Sequence, residues 1–180
     1  MTSAECDVWQ VVTTEDELRE VVADPHPAIV GKNRDHVDEP AARFIARSPL
    51  FFFGTTAADG TLDVSPRGDP PGSVLVLDGG RFLAFADRAG NRRLDSMRNL
   101  LQHPNVGMLF LVPGSEETLR VNGRARIVRD PPFAEQLSLG GRAPELAIVV
   151  EVDELFLHCA NAFHRSSVWE PERWPAPHLP

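Results

Sequence analysis

The chain has 180 residues, 42% of them hydrophobic and 24% charged, with a formal net charge of −8. That length suits one domain, or one domain with appendages, burying roughly 70% of its unfolded surface. The acidic balance makes duplex nucleic acid and anionic membranes poor partners, so any anion site must be local. Cys6 and Cys159 form neither a disulfide framework nor a Cys-x-x-Cys pair, which points to a reducing compartment. The first residues are acidic rather than basic and then apolar, and no apolar run approaches a membrane span. The expectation is a soluble, cytoplasmic protein without a secretory signal.

Along the chain, Thr14 and Glu17 make a capping-box pattern that opens a short helix, with Leu18, Val21 and Val22 on its inner face. Asp38 reads as an N-cap and Pro40 as an early-helix proline, starting a helix that runs to Arg47. The period then changes to two. Residues 50–57 form a dense apolar strand and Asp59 and Gly60 a hairpin turn, with residues 61–65 pairing back. Three prolines stiffen the connection 66–72. Residues 74–77 and 81–86 make a second hairpin around Gly79 and Gly80. Residues 106–112 form a buried strand and 119–128 a long one, in which Gly123 marks a bulge or bend. A short helix is expected from Asp130 to about Leu139, then two strands at 146–152 and 155–158, and a tail rich in Trp, Pro and Arg. With about seven strands and mostly hairpin turns, the fold class is mainly β (α+β), an antiparallel small barrel with short flanking helices. The organisation is an N-terminal helical segment, 1–48, packing on the barrel; the barrel itself, 49–160; and a C-terminal tail, 161–180.

The stretch 81–104 organises the rest. It starts as a strand, breaks at Gly90 and Asn91, and restarts with helical period, Leu94, Met97 and Leu101 on one face and Pro104 as the stop. Asn91 as N-cap puts Arg92 and Arg93 in the first turn. A helix N-terminus already carries about half a positive charge, so two guanidinium groups there are opposed unless an anion lies between them. With Arg88 just upstream, this reads as a phosphate socket; a solvated arginine-rich loop is the equal alternative.

Other constellations carry less. His158, Cys159 and His164 match no standard zinc spacing. Trp169 and Trp174 stack on a ligand or anchor the tail. Arg120, Arg124 and Arg126 share one strand face, a solvated or interface face by default, with Arg120 the one within reach of a ligand. Neither a Gly-x-Ser-x-Gly elbow nor a Gly-x-Gly-x-x-Gly loop is present.

Three pieces resemble the flavin-binding split β-barrels related to pyridoxamine 5′-phosphate oxidase. They are the strand pair from Phe51 to Asp69 with its Pro-Pro-Gly corner; the strand, turn and helix from Phe82 through Asn91, Arg92 and Arg93 to Asn105; and the strand from Leu119 to Ala125 with its central Gly123. Together they cover about residues 45–160. The resemblance implies an antiparallel split β-barrel homodimer with FMN at the subunit interface. It implies that Asn91, Arg92 and Arg93 hold the FMN phosphate with Arg88 nearby, and that Arg67, Gly68 and Asp69 line the isoalloxazine edge. Phe85 and Ala86 would lie along the ribityl chain, and Ser65 and Asp87 complete that set of cofactor contacts. The tail is similar to that of a subgroup in which Arg165, Ser166 and Trp169 reach the partner's flavin, although that subgroup has a lysine near the position of Asn161. The arginine-rich C-terminal motif of the true pyridoxamine phosphate oxidases is absent, so vitamin B6 oxidation is not implied. The activity implied is an FMN-dependent oxidoreductase acting on a small molecule. No residue is singled out as general acid or base, and Arg67 is expected to stabilise negative charge on the reduced flavin. The rivals are an F420-dependent reductase and a non-enzymatic flavin or haem carrier.

Overall fold

A computed structural model describes residues 9–27, 31–159 and 161–175. Cys6 and the N-terminal stretch read above for a signal lie outside them. The chain divides into two compact units, residues 1–32 and 33–180.

Among the described residues, the first unit contains helix α1 (Glu15–Val21). Thr14 Oγ1 accepts from the Glu17 amide, and the Glu17 carboxylate accepts from the Thr14 amide at 3.2 Å, so the expected capping box is formed. The helix buries none of its own residues. Leu18, Val21 and Val22 are exposed, against the expectation of an inner face.

The second unit is built on a seven-stranded antiparallel sheet. Its strands are β1 (Leu50–Thr56), β2 (Leu62–Gly68), β3 (Val74–Leu77), β4 (Phe82–Ala86), β5 (Asn105–Leu111), β6 (Glu117–Arg129) and β7 (Leu146–Cys159). They lie in the order β2-β1-β5-β6-β7-β4-β3. The sheet stays open, with β2 and β3 as its two edges, so the expected split barrel is what forms. Period-two burial drives the curl: Phe51 and Phe53 point inward from β1, as do Met108 and Phe110 from β5. Inside, the Phe51 ring stands edge-on to Phe85, with centroids 4.9 Å apart, and lies against Phe110 at the same distance. Helix α2 (Glu39–Arg47) closes one side. Asp38 caps it by accepting from the Ala41 amide, and Ala41, Phe44 and Ile45 are buried.

Two glycines are fixed by close approach. Gly80, at φ 94°, would drive a Cβ to 2.3 Å from the Val37 carbonyl oxygen, where α2 joins the sheet. Gly123 would place one 2.1 Å from Glu151 O. At that point Asn122 faces Glu154 but Gly123 faces Val152, which leaves Asp153 unopposed in a β-bulge. The bulge expected at Gly123 is there, with the extra residue on the partner strand.

Three expectations are corrected. The two strands expected at 146–152 and 155–158 are one strand, β7, because pairing with β6 continues through the bulge. The helix expected after Asp130 shrinks to a single 3₁₀ turn, Ala134–Leu137. The helix expected from Asn91 begins only at Asp95: α3 is Asp95–Leu100. Arg92 and Leu94 before it have positive φ, at 62° and 60°, which no helical turn allows. The inward face of α3 is therefore Ser96, Met97, Asn99 and Leu100, while Leu94 and Leu101 are exposed. Buried Asn99 pins α3 to β1 by donating to Thr55 Oγ1 at 2.9 Å.

Candidate functional site: a two-part cleft between β2 and the loop after β4

Strand β2 alternates strictly, with Leu62, Val64, Pro66 and Gly68 facing out and Asp63, Ser65 and Arg67 half-buried on the other face. Those three polar residues meet the loop 87–94 and the start of α3 across a cleft of about 330 Å³. Arg67 Nε donates to Ser65 Oγ at 3.3 Å, the Ser65 and Ser96 hydroxyls are 3.2 Å apart, and Ser96 donates to Asp63 Oδ2 at 3.1 Å. The hydrogen-bond chain thus runs from a guanidinium to a carboxylate along one wall.

A second cleft of about 220 Å³ lies inward, with Phe51, Phe85, Ala86 and Val74 as apolar lining and Gly68, Asp69 and Ser73 on its polar side. Pro66, Arg67, Arg88, Ala89 and Gly90 line both clefts, so the two adjoin along a shared wall. Of the residues expected at the site, Ser65, Asp87, Asn91, Arg92 and Arg93 line the outer cleft. Gly68, Asp69, Phe85 and Ala86 line the inner one, and Arg67 and Arg88 line both.

The electrostatics differ from the expected socket. Arg92 and Arg93 precede the helix, and Asn91 caps the turn: its Oδ1 accepts from the Arg93 amide at 3.0 Å. Most of the guanidinium groups already have carboxylate partners. Arg93 pairs with Asp95 at 2.7 Å, Arg67 with Asp87 at 3.6 Å and Arg88 with Asp69 at 2.8 Å. Among the described residues, no carboxylate pairs with Arg92. The four guanidinium groups lining the outer cleft meet four carboxylates, Asp63, Asp87 and Asp95 in the same cleft and Asp69 in the inner one, and Arg92 is the guanidinium left without a carboxylate partner. Burial pushes the Asp87 carboxyl above its usual range, and the opposing pull of Arg67 is the smaller effect.

Arg165, Ser166 and Trp169 line neither cleft. They lie in and just after α4 (Asn161–Ser166), where Ser166 donates back to Phe163 O at 3.2 Å. Trp169 Nε1 donates to Ser115 O at 3.1 Å, and its ring stands edge-on to Phe163. Trp169 therefore fastens the tail to the turn between β5 and β6 of its own chain. Asp63, Asp95, Ser96 and Ser73 were not anticipated. Asp63, Ser65 and Arg67, at successive two-residue spacings, were the available signal, since such spacing puts all three on one strand face. The partners contributed by α3 depended on where that helix starts.

The family model for pyridoxamine 5′-phosphate oxidase matches residues 37–159. The chain belongs to this family. The matched region spans all seven strands of the split barrel and both clefts. Among solved structures, HupZ from Group A Streptococcus is similar at 16% identity and a TM-score of 0.53, over 69% of this chain and 95% of that one. A Clostridium acetobutylicum protein related to general stress protein 26, of the pyridoxinephosphate oxidase family, is similar at 15% identity and a TM-score of 0.50, over 67% and 86%. At these identities the likeness is one of fold. No curated protein matches the chain. Among the described residues, no helix is long and apolar enough to cross a membrane, and no group of three or more His, Cys, Asp or Glu could hold a metal ion.

Proposed function

We propose that this member of the pyridoxamine 5′-phosphate oxidase family is an FMN-binding flavoprotein, an FMN-dependent oxidoreductase acting on a small molecule as a cytoplasmic homodimer. The observation that carries it is Arg92, the cleft guanidinium without a carboxylate partner, in the outer of two adjoining clefts. A cation left over by the chain's own ion pairs fits a phosphomonoester. Arg92 and Arg93 would hold the phosphate, with Asn91 shaping the turn that presents them. Phe85 and Ala86 would lie beside the ribityl chain, and Arg67, Gly68 and Asp69 beside the ring.

Bound there, FMN supplies hydride or electron transfer. The chain's residues position it and set the local field. Arg67, oriented by Ser65 and Asp87, puts a positive charge where the two clefts join, which stabilises negative charge gathering at that point. Phe51 and Phe85 keep the inner cleft apolar. Arg165, Ser166 and Trp169 would serve the partner's cleft, the Trp169 to Ser115 bond setting where the tail leaves the sheet.

The test is the absorbance spectrum and mass of whatever small molecule copurifies with the full chain. Flavin bands and the mass of FMN are expected. A deazaflavin or haem, or a chain that takes up no FMN on reconstitution, overturns the reading. Replacing Arg92→Ala together with Arg93→Ala is expected to weaken FMN about 100-fold, the scale of two charge-assisted hydrogen bonds. Riboflavin, which lacks the phosphate, should bind the double variant as it binds the parent. A variant that retains FMN fully would remove these arginines from the site.

A further inference from the structure

Arg88 stands apart from the other cleft arginines in what it holds. Its Nε donates to Asp69 Oδ2 and its Nη2 to the Leu137 carbonyl, both at 2.8 Å, with about a quarter of the side chain exposed. Asp69 directly follows the edge strand β2, and Arg88 closely follows β4, the neighbour of the other edge strand β3, so the ion pair spans the open side of the sheet. Leu137 belongs to the 3₁₀ turn between β6 and β7. Its side chain is buried in a small separate core with Ala86 and Ala147, against which Leu75 and Phe133 pack. The third partner is thus a fixed point. The proline-rich connection is held on its other side by the Asp69 amide, which donates to Pro49 O at 3.1 Å.

We propose that Arg88 is a positioning residue, a latch that clips Asp69 to the Leu137 turn across the open side of the barrel and so shapes the cleft, rather than a ligand of the phosphate. Both of its hydrogen-bonded nitrogens are committed to partners 19 and 49 residues away in sequence. A guanidinium can bridge two acceptors in a fixed plane where an ammonium acts as a single point charge. Lysine at this position would therefore keep the charge and lose the bridge. The binding arm of the test below rests on the flavin reading; the stability arm does not.

The experiment titrates FMN and riboflavin, by flavin fluorescence, into the full chain and into Arg88→Met, Arg88→Lys and Asp69→Asn. A latch requires all three variants to weaken both flavins together, by about tenfold or more, the scale of one charge-assisted hydrogen bond. The ratio of FMN to riboflavin affinity should stay that of the parent. A phosphate ligand gives the opposite pattern. Arg88→Met would then weaken FMN alone, Arg88→Lys would largely rescue it, and Asp69→Asn would tighten FMN by removing a competing carboxylate. That pattern overturns the latch. If the parent binds neither flavin, the flavin reading fails and the latch is decided on the flavin-free chain. There the Arg88→Met and Asp69→Asn double variant should melt no lower than Arg88→Met alone, and amide exchange should accelerate across residues 66–73. Additive losses, or unchanged exchange in that connection, would also overturn it. Far-UV circular dichroism checks that each variant remains folded.

Discussion

Asp87 lines the outer cleft with its carboxyl pushed above the usual range, burial outweighing the attraction of Arg67 3.6 Å away. The unfolded chain therefore ionises this group at a lower pH than the native one does. Between the two pKa values the native state binds more protons, so stability falls as pH rises through the window that opens near 3.8. The cost is complete at neutral pH and vanishes once both states are protonated. Asp87→Asn is thus expected to raise the melting temperature at neutral pH and to change it little in strong acid, measured by thermal melts across that range. A lower melting temperature at neutral pH would mean that the Arg67 attraction dominates. At this scale the sequence picked out residues that the fold gathers along one cleft and was silent about their charge balance. Ser65, Arg67, Asp87, Asn91, Arg92 and Arg93 do share one cleft. What three of the arginines pair with was hidden for different reasons. Asp69 and Asp87 lie about twenty residues from Arg88 and Arg67 and meet them only through the fold. Asp95 is two residues from Arg93, and was hidden because the turn between them was taken for helix.

Local signals at the level of elements worked where tertiary pairing agreed with them and failed where it did not. The Asp38 cap, the hairpin turns and the strand periods survived because each was also what the sheet required, whereas the Thr14 capping box formed as a purely local feature. The helix start at Asn91 failed because Asn is as good an acceptor in a short turn as at an N-cap. Neither Arg92 nor Leu94 is a residue type that announces positive φ. Two strands were expected where β7 runs unbroken, because the acidic residues Asp153 and Glu154 interrupt the apolar run where the strand carries its bulge. That bulge brings β7 hard against Gly123. An added methyl would sit 2.1 Å from the Glu151 carbonyl oxygen, a backbone atom that cannot swing aside. Gly123→Ala is expected to destabilise the chain by about 3 kcal/mol, the upper part of the overpacking range, read from the midpoint of chemical denaturation. A loss below about 1 kcal/mol, the low end of that range, would show that β6 and β7 separate easily here.

For the whole molecule, the outward face of β2, β1 and β5 bears on the proposed dimer. A one-sided antiparallel sheet ordinarily turns polar residues to water. Here Leu62 and Val64 are 74% and 64% exposed and Phe52 is 38% exposed. Phe52, Val64 and Leu109 border a shallow apolar groove of about 430 Å³ whose floor is flattened by the paired Gly54 and Gly107. Arg120, at the rim of that groove, is held by the Glu154 carboxylate at 2.6 Å. A contiguous exposed apolar surface marks a protein contact, and two copies of one self-complementary face close on each other about a two-fold axis. The same strand β2 that turns Val64 outward turns Ser65 and Arg67 into the cleft, so a partner seated on this face lies next to the site. Phe52→Glu with Leu109→Lys is expected to turn a dimer into a monomer by light scattering after gel filtration. It should also weaken FMN, because the neighbouring wall of the site leaves with the partner. A double variant that stays dimeric would move the interface to another face. One that becomes monomeric yet keeps FMN at the parent's affinity would mean that a single chain supplies the whole site, and that its tail residues Arg165, Ser166 and Trp169 have no part in the partner's cleft.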